Sequence, residues 1–175
     1  MPDKFDVIIT GGGPAGTACA LSLTGSGLKV ALLEKSSFPR DKVCGDALSV
    51  DVINQLPLLT ESLAKKFAAL PFKRASAGVR IFSPGLTGID IPFIHKGEKK
   101  NGYICSRLDF DDLLFQEVKR SGEIHIIEDC HVENVHTDAD GVTVSTSKGD
   151  FTAALVAGAD GAHSVVRKML AARPM

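Results

Sequence analysis

Residues 5–34 constrain the fold more than any other stretch of the chain. Phe5–Thr10 (FDVIIT) is a short apolar run rich in β-branched residues, the pattern of a strand buried in a parallel sheet. It runs into Gly11-Gly12-Gly13-Pro14-Ala15-Gly16, and a helical pattern follows from Pro14 to Ser26. Proline suits a first helical turn and Gly27 supplies a stop. Lys29–Leu33 (KVALL) reads as a second buried strand, ending at Glu34. Strand, tight turn, helix and strand in this order predict a βαβ unit.

The turn fits G-x-G-x-x-G, with a separate reason for each glycine. Gly11 permits the sharp exit from the strand, Gly13 lets a diphosphate approach the backbone, and Gly16 lets the helix pack closely on the strand. Pro14 and Ala15 open the helix within the loop and count with it as cofactor-binding positions. Unpaired N–H groups and the helix dipole favour an anion there, the dipole by roughly 0.3–2 kcal/mol. Glu34 follows Gly11 by 23 residues, near the interval of about 20 for a ribose-binding carboxylate. It is expected to accept bonds from the adenosine ribose hydroxyls and to repel a 2′-phosphate; Lys35 beside it joins the candidates. The loop and acid together predict dinucleotide binding, with FAD and NAD both open at this point.

Further along, residues 35–49 read as a long polar loop, a length that suggests function or disorder. Two helical patterns follow, Val50–Leu56 and Glu61–Leu70, then alternating apolar and polar positions over 74–105 that predict antiparallel strands. Asp109-Phe110-Asp111-Asp112 opens a helix with acids at its positive end, and Gly122 closes it. The last third reads as a meander of four strands: 123–128, 130–137, 142–147 and 151–159. Asp140-Gly141 and Lys148-Gly149 supply hairpin turns, and a final helix begins near Ser164.

Composition excludes several classes. Lysines and arginines number 20 against 21 acids, with no basic run, which argues against a nucleic-acid partner. The acid-containing start lacks a signal-peptide pattern, and no apolar run approaches the roughly 20 residues that span a bilayer. A cytoplasmic protein is expected, with peripheral membrane contact left open. Cys19, Cys44, Cys105 and Cys130 form no CxxC pair, and His95, His125, His131, His136 and His163 share no metal or triad spacing. No metal is expected.

Three more stretches separate the candidate cofactors. Phe38-Pro39-Arg40-Asp41-Lys42-Val43-Cys44-Gly45-Asp46 resembles the FPRxKxCG segment of the geranylgeranyl reductase family, within the p-hydroxybenzoate hydroxylase-like flavoproteins. Arg107 before Leu108-Asp109-Phe110-Asp111-Asp112-Leu113-Leu114 resembles that family's arginine before an Rxx(F/L)DxxL helix. Gly158-Ala159-Asp160-Gly161-Ala162-His163-Ser164-Val165-Val166-Arg167 resembles the group's GADGxxSxVR motif. The resemblance implies FAD as cofactor, with NADPH, NADH or a ferredoxin as electron donor. It implies Cys44 and Gly45 near the flavin ring, where Cys44 is either catalytic or a wall of the cavity. It also implies Arg107 at the ribityl or phosphate oxygens, Asp160, Gly161 and Ser164 near the diphosphate, and Val132 against adenine through its backbone. Arg40 and Lys42 put cations in the loop after the acid, where they could offset diphosphate charge.

The fold expected is α/β: a Rossmann-like FAD-binding domain with a parallel sheet, an antiparallel meander and inserted β-strands. Residues 1–175 would form an incomplete version of it, with 74–105 beginning a substrate-side sheet. Relatives in the family are about twice as long, so a fragment of a longer protein is expected. The activity implied is reduction of carbon–carbon double bonds in a prenyl lipid of geranylgeranyl type. The alternatives are a flavin monooxygenase or halogenase on the same fold, a non-catalytic dinucleotide-binding remnant, and an NAD-only dehydrogenase, which the Arg107 and GADG motifs disfavour.

Overall fold

A computed structural model describes residues 3–171. The chain divides into two compact units: residues 1–40 with 114–175, and residues 41–113.

The first unit contains the six-stranded sheet. Its strands are β1 (Asp3–Thr10), β2 (Val30–Leu33), β10 (Ile124–Ile127), β11 (Val132–Asp138), β12 (Gly141–Thr146) and β13 (Gly149–Gly158), in the order β10-β2-β1-β13-β12-β11. β10, β2, β1 and β13 run parallel, and β12 and β11 continue antiparallel. Val30, Ala31, Leu32 and Leu33 are all buried. Because successive side chains alternate between faces, a strand with every residue buried must be covered on both. Phe5, Ile8, Leu33, Val135, Val144, Phe151 and Val166 belong to one core cluster.

Two readings are corrected in this unit. The helix after the glycine loop, α1 (Pro14–Ser22), ends at Ser22 instead of Ser26. Thr24 and Ser26 bond their hydroxyls back to the carbonyls of Leu21 and Leu23, and Gly25 and Gly27 both take positive φ. Side chains that compete for backbone carbonyls end the helix before the glycine expected to stop it. The segment 123–128 is not part of the meander: β10 lies at the opposite edge, parallel to β2. It follows a helix, and a helical crossover returns the chain parallel, whereas a tight turn reverses it. The three-strand meander β11-β12-β13 stands as expected, with Gly141 and Gly149 at positive φ in its turns.

The second unit carries β3 (Ala47–Leu48), α2 (Val50–Leu59), α3 (Glu61–Ala69), β4 (Arg74–Ser76), β5 (Gly78–Phe82), β6 (Gly88–Pro92), β7 (Ile94–His95), β8 (Glu98–Lys99) and β9 (Gly102–Ile104). Every strand pair is antiparallel, in three small sheets. Ser49 and Thr60 cap α2 and α3 through their side-chain oxygens. α2 continues past Pro57 to Leu59, beyond the expected end at Leu56. The rings of Tyr103 and Phe110 meet Phe67 edge-on, at centroid distances of 5.5 and 6.0 Å. Helix α4 (Arg107–Ser121) begins two residues before Asp109 and runs from the second unit's sequence range into the first's. α5 (Val165–Ala171) follows Ser164. Among the described residues, no helix is long and apolar enough to cross a membrane.

Candidate dinucleotide site

The glycine loop leaves the end of β1 with Gly11 at φ +95°, a region side chains rarely adopt. A Cβ there would also meet the Ala159 carbonyl oxygen at 2.5 Å, and one on Gly16 would lie 1.8 Å from the Gly11 oxygen. Both glycines are therefore required by the turn and by helix-on-strand packing. Gly13 differs: a Cβ there would meet no backbone, and its nearest neighbour is Arg40 Nη2 at 3.4 Å. That open face is where a diphosphate would approach the backbone. Pro14 and Ala15 sit at the start of α1, whose N-cap is Gly13.

Glu34 is 3% exposed. Its Oε2 accepts the Gly12 N–H at 2.6 Å and its Oε1 accepts the Ser36 N–H at 3.0 Å. Arg40 Nε lies 3.5 Å from Oε1, and the Arg40 guanidinium stands 4.8 Å over the Phe38 ring. The acid thus faces the glycine loop and holds it, a role the spacing rule does not anticipate. Lys35 and Lys42 are exposed. Val132, half-buried, starts β11 beside a register shift in its pairing with β12.

Asp160 follows β13, and Ala159 N–H donates to the Thr10 oxygen, so the Asp160 turn adjoins the start of the glycine loop. Its Oδ2 accepts from the N–H groups of Val165 and Val166 at 2.7 and 3.3 Å, and Ser164 Oγ accepts from Arg167 N–H at 2.9 Å. Both side chains cap α5. Gly161 takes φ +82°. Asp160 Oδ1 and Thr10 Oγ1 are buried atoms with no hydrogen-bond partner among the described residues.

In the second unit, Cys44 and Gly45 lie in an exposed coil. The backbone N–H of Asp46, and then the Arg107 guanidinium, hold the Cys44 thiol below its ordinary pKa. Arg107 grips Asp111 through two bonds, Nε to Oδ1 at 2.6 Å and Nη2 to Oδ2 at 2.8 Å. That pairing holds Arg107 further above its usual range. Asp111 is fully buried, so it is the arginine's anchor as well as part of a helix start. Its i,i+4 spacing from Arg107 was visible in the sequence and its burial was not. Among the described residues, no group of histidines, cysteines and acids is placed to hold a metal.

Parallel strands, the strained glycine turn and the acid one strand over define a Rossmann-type dinucleotide-binding fold. The chain belongs to the FAD binding domain family, which matches residues 4–175. It is 31% identical over 172 residues to a geranylgeranyl diphosphate reductase of Rhodobacter capsulatus, covering 94% of this chain and 39% of that protein. It is also 31% identical over 157 residues to a flavin-dependent halogenase of Armillaria mellea, covering 87% of this chain and 30% of that one. Among solved structures, the flavin-dependent halogenase CmlS superposes with a TM-score of 0.81 at 26% identity, over 96% of this chain and 31% of that chain. The chain thus spans less than half the length of these relatives.

Proposed function

We propose that this chain is the nucleotide-holding part of an FAD-dependent oxidoreductase that reduces carbon–carbon double bonds of a prenyl lipid. The observation that carries the FAD reading is the open face of Gly13, bordered by Arg40 and followed through Gly12 by the buried Glu34. In this reading the Gly11–Gly16 amides and Arg40 take the diphosphate, Glu34 and Lys35 border the ribose, and the Val132 backbone meets adenine. Asp160, Gly161 and Ser164 flank the diphosphate. Cys44, Gly45 and Arg107 are assigned to the flavin end by the family resemblance, Cys44 either as a catalytic thiol or as a wall. When bound, FAD supplies the redox chemistry, and the protein orients it and excludes water. NADPH, NADH or a ferredoxin provides the electrons. A prenyl substrate partitions into membranes, which suits a cytoplasmic enzyme working at a membrane surface.

The reductase reading draws on the Arg40–Gly45 segment and the likeness to the R. capsulatus enzyme. The likenesses to two halogenases support a second reading, a monooxygenase or halogenase reaction that consumes oxygen. Turnover of the full-length protein separates them: the reductase works anaerobically with a prenyl substrate, whereas the oxygen-using enzyme stops. For the nucleotide site itself, Glu34→Ala should lower FAD retention by the 175-residue chain, read from flavin absorbance after gel filtration. Unchanged retention removes Glu34 from the site, and flavin that the purified chain retains and releases on denaturation counts against the non-catalytic remnant.

A further inference from the structure

The middle glycine of the loop, Gly12, occupies a variable position of G-x-G-x-x-G, so the dinucleotide fingerprint does not account for it. The structure supplies a reason. A Cβ on Gly12 would lie 3.0 Å from the edge of the Phe115 ring and 3.2 Å from Glu34 Oε2. Phe115 is fully buried and stacks face to face on Phe38, with centroids 3.8 Å apart and planes 9° from parallel. Each ring carries a cation, Arg40 at 4.8 Å over Phe38 and Lys119 at 5.0 Å over Phe115. Rings 3.8 Å apart leave no room for a cation between them, so both cations take outer faces.

A hydrogen-bond loop fixes the same rings. Glu128 Oε1 accepts the Phe38 N–H at 2.8 Å, and its Oε2 accepts Lys119 Nζ at 2.7 Å. The order Lys119, Phe115, Phe38, Arg40 thus runs from α4 to the open face of Gly13. Arginine has a long stem with large rotamer freedom, and Arg40 lies in coil, where no secondary structure restrains it. The Phe38 face restrains one side of the guanidinium and Glu34 its Nε edge.

We propose that Phe38 and Phe115 are positioning residues, which hold the Arg40 guanidinium beside Gly13 ready for a diphosphate. This rests on the reading of the glycine loop as the diphosphate site. The test uses the 175-residue chain with ADP and adenosine as probes, titrated by NMR. Arg40→Gln and Phe38→Leu should each weaken ADP about ten-fold, the size of one charge-assisted hydrogen bond, with adenosine affinity unchanged within about two-fold. The double variant should be no weaker than either single one, and Phe38→Tyr, which keeps the ring, should retain full ADP affinity. A second measurement needs no variant: the Arg40 Nε–Hε group of the unsubstituted chain should be rigid before any nucleotide is added.

Additive losses, unchanged ADP affinity in Phe38→Leu, equal loss of adenosine, or a freely rotating Arg40 would each overturn the proposal. Failure of the underlying reading looks different: ADP would leave the Gly11–Thr17 amides of the unsubstituted chain unshifted, and the proposal would fall with it.

Discussion

Strand β2 of the first unit and the β5–β6 ribbon of the second both carry large apolar side chains, yet these meet opposite fates. Every residue of β2 is buried, whereas Val79, Ile81, Ile89 and Ile91 of the ribbon are between 47% and 66% exposed. Register explains which side chains share a face: Val79 pairs with Ile91 and Ile81 with Ile89, so the four fall together, while the Arg80–Asp90 ion pair takes the alternate face. A strand flanked by strands on both sides and covered by helices uses every apolar residue. A two-stranded ribbon has no such cover within its own hairpin. Apolar content alone therefore does not measure how much a segment contributes to stability.

The largest effect that would sharpen this contrast is at the glycines. Gly16→Ala puts a Cβ 1.8 Å from the Gly11 oxygen, and should cost more than about 4 kcal/mol or prevent folding. Gly45→Ala meets nothing within 4 Å and should stay within about 0.5 kcal/mol in urea denaturation. Equal costs would contradict the steric difference between the two positions. Next comes Asp111→Ala, which strands a largely buried Arg107 and should cost about 3 kcal/mol by the same measurement. That would show the second unit to be anchored by this ion pair despite its exposed ribbon. Leu32→Ala should then cost about 2–3 kcal/mol and Ile89→Ala under about 0.5, since only the first leaves a cavity.

The smallest effect is a pH dependence at Cys44, the exposed one of the four cysteines. Its pKa is lowered in the folded chain, so its thiolate forms at lower pH there than in the unfolded chain. Alkylation by iodoacetamide, followed peptide by peptide, should reach half its maximal rate at a lower pH in the folded protein than in urea. Arg107→Gln should move that midpoint up by removing part of the cause. Identical midpoints in the folded chain, the unfolded chain and the variant would contradict the Cys44–Arg107 interaction.

Legibility followed a different division, between local signals and long-range ones. The βαβ unit was readable because each of its signals is local: β-branched runs, a glycine turn, Pro14 at a helix start, an acid at a strand end. The position of β10 was not, since nothing within residues 123–128 says which edge of the sheet they join; the helix before them decides it. At the site, Gly11 and Gly16 were legible from spacing. The engagement of Glu34 with the Gly12 N–H, the Phe38–Phe115 stack and the burial of Asp111 were not. These depend on residues far apart in the chain, and only the folded backbone brings them together.

In the proposed function, the turn between β1 and α1 grips the diphosphate of FAD. Titrating isotope-labelled chain with ADP, and following its backbone amides, reads that contact itself. The largest shifts are expected at Gly11–Thr17 and around Glu34, with residues 78–92 of the ribbon unmoved. Shifts confined to the ribbon, or a glycine turn indifferent to saturating ADP, would contradict that contact.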